Sequence, residues 1–268
     1  MVSRESLQPA SQAMQSSQPL LEAQSLHKAF GGLRAVDGVD LRVSAGSITG
    51  LIGPNGAGKT TLFNLLANFI PADRGQVYFK GQSLAGIEPH QIAQQGMVRT
   101  FQVARVLSRL SVLDNLLLAA QHQSGERFWN VWFRHRAIRQ QERELGDRAF
   151  ALLESVGLAA KAQDYAGSLS GGQRKLLELA RVLMAQPKLV LLDEPAAGVN
   201  PALIEQICQH IRRWNQAGIS FLIIEHNMDV IMSLCDHVWV LAEGRNLAAG
   251  PPSVIQQDEQ VLQAYLGQ

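Results

Sequence analysis

Apolar residues along this chain recur with two different periods, and the switches between them divide it into elements. Residues 21–30 and 35–43 mix alternation with short apolar runs around Gly31 and Gly32, which predicts a twisted pair of strands. Residues 47–52 form a short apolar strand running straight into a glycine-rich turn, and 60–69 then carries helical spacing. Residues 75–81 alternate between bracketing glycines and predict another strand, followed by a helix over 89–95 that opens on Pro89. From 112 to about 185 nearly every segment has helical spacing, including 116–121, 136–156 and 173–184. Strand and helix then alternate: strand 189–192, helix 201–217, strand 219–224, helix 228–235, strand 237–241.

Strands separated by helices imply a mostly parallel sheet covered on both faces, so the expected class is α/β. The stretches before and after the helical block would form one sheet, with an antiparallel β region at the N-terminal side. The expected organisation is a tail over 1–19, rich in Ser and Gln and read as disordered, then one domain over 20–268. Within that domain 20–103 and 186–268 would be the α/β core and 104–185 an inserted helical subdomain.

Composition narrows the picture mainly by exclusion. With 46% hydrophobic and 18% charged residues over 268 positions, the chain belongs among globular proteins able to bury their own core. A net charge of +1 provides no basic footprint, so nucleic acid is not an expected partner. Cys208 and Cys235 show no C-x-x-C spacing and read as small buried hydrophobes. The longest apolar runs, such as 189–192 and 221–224, fall far short of the roughly 18 residues of a membrane span. No signal-peptide pattern opens the chain.

Candidate chemistry begins at Gly53-Pro54-Asn55-Gly56-Ala57-Gly58-Lys59-Thr60, which matches the P-loop pattern G-x-x-x-x-G-K-[ST] between a predicted strand and helix. Its glycines permit conformations that turn successive N–H groups inward around phosphate oxygens. The helix that starts there adds free N–H groups and a partial positive charge. Lys59 would reach the β and γ phosphates, Thr60 and Thr61 would bind the nucleotide, and the Thr60 hydroxyl would ligate Mg²⁺. A chance match in a chain of this length has a probability on the order of one percent. Alone, the motif implies binding of a nucleoside triphosphate.

Leu189-Val190-Leu191-Leu192-Asp193-Glu194 is a buried strand ending in two acids. Ligands of open parallel sheets bind beyond the carboxyl ends of strands, which brings these acids near the P-loop. Asp193 would hold Mg²⁺ and Glu194 would orient and deprotonate an attacking water. An acid pair after a strand also serves as a helix cap, but Pro195 and the P-loop favour chemistry. His226, directly after strand 219–224 and Glu225, would contact the γ-phosphate from a neighbouring strand end.

Leu169-Ser170-Gly171-Gly172-Gln173 lies between these two motifs. Ser and Gly before a helix also serve simply as an N-cap. As an ordered set, however, the motifs identify the chain, from about residue 21 to its end, as similar to the ATPases of ATP-binding cassette (ABC) transporters. The resemblance implies the P-loop (RecA-like) form of the α/β fold, with ATP as substrate and Mg²⁺ as its metal. It implies that Phe30 stacks on adenine, that Gln102 senses Mg²⁺ and the attacking water, and that His226 is the switch histidine. It also implies that Ser170, Gly171, Gly172 and Gln173 of one subunit contact nucleotide bound by the P-loop of another, in a head-to-tail dimer.

Arg99-Thr100-Phe101-Gln102, Gly198-Val199-Asn200-Pro201, Glu225-His226-Asn227-Met228 and the ending from Val261 to Gly267 resemble, more narrowly, the ATP-binding subunits of branched-chain and neutral amino-acid importers. That implies a heterodimer with a second, similar ATPase beneath two membrane permeases, served by an extracytoplasmic substrate-binding protein. It would be peripheral on the cytoplasmic face of the inner membrane. Importers of another small solute such as urea, and soluble non-transport ABC ATPases, are the alternatives. Asn200 stands where the family's D-loop usually ends in Asp, which leaves the usual cross-interface contact open. The aromatic run Arg127-Phe128-Trp129-Asn130-Val131-Trp132-Phe133-Arg134 reads as a local core in preference to a docking surface.

Overall fold

A computed structural model of the chain describes residues 18–100, 106–120 and 135–266. Residues 1–17 of the predicted tail, the aromatic run at 127–134 and Gln102 lie outside those residues.

Two sheets carry the fold. The first is antiparallel, built from β1 (Leu21–Phe30), β2 (Leu33–Val43), β4 (Arg74–Phe79) and β5 (Gln82–Ser83) in the order β2-β1-β4-β5. The second has the order β10-β9-β3-β8-β7-β6, comprising β3 (Ile48–Ile52), β6 (Met97–Arg99), β7 (Leu189–Asp193), β8 (Ser220–Ile224), β9 (His237–Ala242) and β10 (Arg245–Gly250). All its pairings are parallel except β9 with β10. The stretches before and after the helical block meet in this second sheet, and the first is the antiparallel region expected at the N-terminal side. The alternating strand around Gly75 pairs antiparallel with β1, because its pattern is half exposed, whereas β3, β7 and β8 are buried on both faces.

Period-two alternation within the buried strands divides the core. Leu189, Leu191, Leu222 and Ile224 point to a cluster with Phe63 and Leu66 of helix α1 (Lys59–Leu66) and with Leu26 and Leu41 of the antiparallel sheet. Val190, Leu192, Phe221 and Ile223 point the other way. There they meet helices that lie between β6 and β7 in the chain: α3 (Val112–Leu117), α4 (His135–Ser155) and α5 (Gly171–Met184), α2 (Pro89–Gln94) preceding β6. Helices α6 (Pro201–Gln216) and α7 (Met228–Leu234) cover the same face. Among the described residues no helix is long and apolar enough to cross a membrane.

Helix α6 shows how local sequence sets a boundary. Asn200 is its N-cap, with Oδ1 accepting from the Leu203 N–H at 2.9 Å, and Pro201 occupies the first turn where no N–H is needed. Asn and Asp cap about equally well. Asn200→Asp is therefore expected to leave the thermal midpoint unchanged, whereas Asn200→Ala lowers it by about 2–4 °C, the equivalent of about 1 kcal/mol, in a calorimetric scan. Equal midpoints for Ala and Asp variants would contradict the capping role.

Candidate functional site

The order β3-β8-β7 places three strand ends side by side. Leu51 of β3 and Asp193 of β7 are both partners of Ile224 in β8, so the chain leaves all three strands toward one region. From β3 it enters the loop at Gly53. Gly58 has φ of +95°, and a Cβ there would lie 2.2 Å from the Ala35 carbonyl oxygen; at Gly53 it would lie 2.1 Å from that of Leu241. Only glycine fits both positions. Gly56, at φ +77°, has open space around it. Lys59 folds back so that Nζ donates to Gly53 O at 2.7 Å and Pro54 O at 2.8 Å. Burial pushes its ammonium below the ordinary lysine range, while the nearby Glu194 and Asp193 carboxylates pull it upward.

Asp193 ends β7 with its side chain 6% exposed and Oδ2 held by Arg99 Nη2 at 3.0 Å. Glu194 follows with φ of +50°, the left-handed region that costs a side-chain-bearing residue energy, and its N–H donates to Ile224 O at 3.0 Å. This aims Glu194 at His226: Nε2 lies 2.5 Å from Glu194 Oε1. Glu225, between β8 and His226, had no role assigned from sequence. Its buried carboxylate accepts from the Ala196 N–H at 2.6 Å and the His226 N–H at 3.2 Å, tying the turn after Glu194 to the histidine's own backbone. Burial pushes its carboxyl above the usual range, with those N–H groups opposing the rise. An acid next to His226 was the only signal, and nothing in a linear reading joins it to Ala196.

Of the residues expected to bind nucleotide, all but Gly53 line one of two clefts. One, of about 610 Å³, is lined by Phe30, Asn55, Gly56, Gly58, Lys59, Thr60 and Thr61 on one side and by Glu194 and His226 on the other. Phe30 is half exposed, with Lys28 Nζ 5.7 Å from its ring. The second cleft, of about 960 Å³, is lined by Ser170, Gly171, Gly172 and Gln173 together with Ala197 to Asn200. The two share no residue.

At the second cleft the simple capping alternative is realised. The Ser170 hydroxyl accepts from the Gln173 N–H at 3.2 Å, and the Gln173 side chain accepts from the Ser170 N–H at 3.0 Å, a capping box that opens α5. Gly172 has a packing reason to be glycine, since a Cβ would lie 2.5 Å from Leu203 Cδ2, while Gly171 opens on free space.

The family pattern described as ABC transporter matches residues 36–197, more than half of the chain. The chain belongs to the ABC transporter family. It is 40% identical, over 92% of its length and 95% of the relative's, to a probable branched-chain amino acid transport ATP-binding protein, LivG, of Archaeoglobus fulgidus. It is also 40% identical to the high-affinity branched-chain amino acid transport ATP-binding protein BraF of Pseudomonas aeruginosa, over 94% of this chain and 99% of that one. Among solved structures, the ADP conformation of an ATP-binding cassette of an ABC transporter superposes with a TM-score of 0.81 at 38% identity, covering 94% of this chain and all of the other. The α/β fold and ATPase activity expected from the motifs are those of this family. Its members bind ATP or ADP.

Proposed function

We propose that this chain energises uptake of branched-chain or other neutral amino acids by a membrane importer, hydrolysing ATP with Glu194 as the base. The observation that carries the catalytic part is the Glu194–His226 pair facing the P-loop across one cleft. The cargo follows from the transport roles named for relatives that align along nearly all of this chain.

In this reading the loop N–H groups and Lys59 take the phosphates, Lys59 exchanging its bonds to Gly53 O and Pro54 O for phosphate oxygens. Phe30 stacks on the base. The Thr60 hydroxyl and the Asp193 carboxylate are hard oxygen donors that suit Mg²⁺, and Asp193 is close enough to act on the Lys59 ammonium. They would hold the ion, with Gln102 beside it, and the ion would supply charge neutralisation at the phosphates. Glu194 takes the proton of the attacking water as its oxygen bonds to the γ-phosphorus and the bond to the β–γ bridging oxygen breaks. His226 holds Glu194 in position and faces the γ-phosphate.

Ser170 to Gln173 lie in the other cleft, so they would serve a nucleotide held by a second, similar ATPase in a head-to-tail pair. We read the pair as a heterodimer on the cytoplasmic face of the inner membrane, beneath two permeases fed by an extracytoplasmic binding protein. Residues 104–185 would be the subdomain that couples it to the permeases. Ser170→Arg tests the division. It is expected to leave ADP affinity of the isolated chain within about twofold of native while lowering ATP turnover of the assembled transporter about 100-fold or more. If it weakens ADP binding by the isolated chain as much as Lys59→Ala does, the signature belongs to the chain's own site.

A further inference from the structure

Arg99 meets three parts of the site at once. It ends β6, paired with Leu191 two residues before Asp193. Its side chain is 6% exposed, and Nη2 donates to Asp193 Oδ2 at 3.0 Å while Nη1 donates to Asn64 Oδ1 at 2.6 Å. Its guanidinium carbon lies 5.6 Å from the centre of the Phe63 ring and 5.7 Å from that of Phe69. Phe63 and Asn64 belong to α1, the helix that follows the P-loop. The cation is therefore anchored by a second acceptor and two aromatic faces as well as by the carboxylate.

Both charges of this pair are almost removed from water, so each balances the other, and the Lys59 ammonium is a second cation acting on Asp193. Removing one partner of such a pair leaves an uncompensated buried charge, one of the more destabilising changes a fold can suffer. Asp193 thus has a resident cation before any metal arrives.

We propose that Arg99 is the counter-ion of Asp193 in the metal-free protein and that it sets the site's affinity for Mg²⁺, because protein cation and metal draw on the same carboxylate. The proposal rests on the reading of Asp193 as the holder of Mg²⁺. Its sign follows from charge. Guanidinium is permanently positive and repels a divalent cation sharing its carboxylate. Removing it destabilises the empty site and tightens the hold on the metal.

The test uses the full chain and four variants: Arg99→Met, which keeps an unbranched apolar stem beside Phe63 and Phe69, Arg99→Gln, Asp193→Asn, and the Arg99→Met/Asp193→Asn double variant. Unfolding midpoints are measured in EDTA and in saturating Mg²⁺ with ADP, and ADP affinity is measured with and without Mg²⁺. Arg99→Met is expected to lose about 5–10 °C in EDTA and to regain most of it with Mg²⁺ and ADP. Its Mg²⁺-dependent gain in ADP affinity is expected to exceed the native gain by about threefold or more. The double variant, lacking both charges, recovers at least half of the loss in EDTA. An equal deficit in both conditions, with the native Mg²⁺ dependence, makes Arg99 purely structural and overturns the proposal. Should Arg99→Met fail to fold, Arg99→Gln shifts the Mg²⁺ dependence in the same direction, and a native value there overturns it as well. Native Mg²⁺ dependence in Asp193→Asn would instead remove the underlying reading of Asp193.

Discussion

Glu194→Gln is expected to lower ATP turnover about 10²- to 10⁴-fold while leaving nucleotide affinity within about threefold of native. The amide has the shape of the carboxylate and keeps an oxygen for the contact that Glu194 Oε1 makes with His226 Nε2 at 2.5 Å. What it loses is the ability to take a proton from water. Glu194 is held at φ +50° with its N–H fixed on Ile224 O. Single-turnover and steady-state hydrolysis by the assembled transporter check the prediction. A variant hydrolysing within about tenfold of native would mean that another group takes the proton.

Gly58→Ala and Gly56→Ala should separate by a wide margin although both glycines belong to one loop and both have positive φ. At Gly56 a methyl group meets nothing within 4 Å, so the cost is only that of a left-handed conformation, about 1–2 kcal/mol or roughly tenfold in affinity. At Gly58 the same backbone penalty is joined by a Cβ placed 2.2 Å from the Ala35 carbonyl oxygen, a backbone atom of β2 that cannot turn aside. The loop must leave the antiparallel sheet to admit it, and the loop N–H groups proposed to take the phosphates leave with it. Loss of ADP affinity of about 100-fold or more is expected for Gly58→Ala. Fluorescence titration of the two variants checks this, and equal losses would show that the contact with Ala35 does not shape the loop.

Those two predictions draw on different parts of what a linear reading can reach. The P-loop, the acids after β7 and His226 were legible because each is a strand end followed by an unusual residue, and the order β3-β8-β7 brings those ends together. Strands buried on both faces announced themselves as apolar runs; 219–224 and 189–192 were placed to within a residue. Sheet membership was not legible for the strand beginning at Arg74, since alternation reports one exposed face and not which neighbour pairs with the other edge. Strand β10 was missed because its hairpin turns at Glu243 and Gly244, both at positive φ, without the Asn-Gly or Asp-Gly pair that marks such turns. Asp193 lies 94 residues from Arg99, and Ala196 29 residues from Glu225, at distances where no periodicity helps. Ser170 shows the opposite difficulty: its local capping box is complete, so the sequence signal for a cap and for a phosphate contact coincide.

The separation of two clefts also changes what a measurement on this chain alone reports. Nucleotide binding should be a property of the single chain, because the P-loop, Glu194 and His226 line one cleft of it. Rapid hydrolysis should require the partner, because the signature residues line a cleft that shares nothing with it. Asn200 borders that second cleft and caps α6 at the same time, so an Asp there would preserve the cap while adding a charge to the face presented to a partner.

Uptake of a panel of labelled amino acids by source cells, carrying either the native chain or Glu194→Gln at equal abundance, tests the central claim most directly. Selective loss of leucine-like and other neutral amino acids in the variant, with charged amino acids unaffected, is the predicted result; unchanged uptake across the whole panel would contradict it.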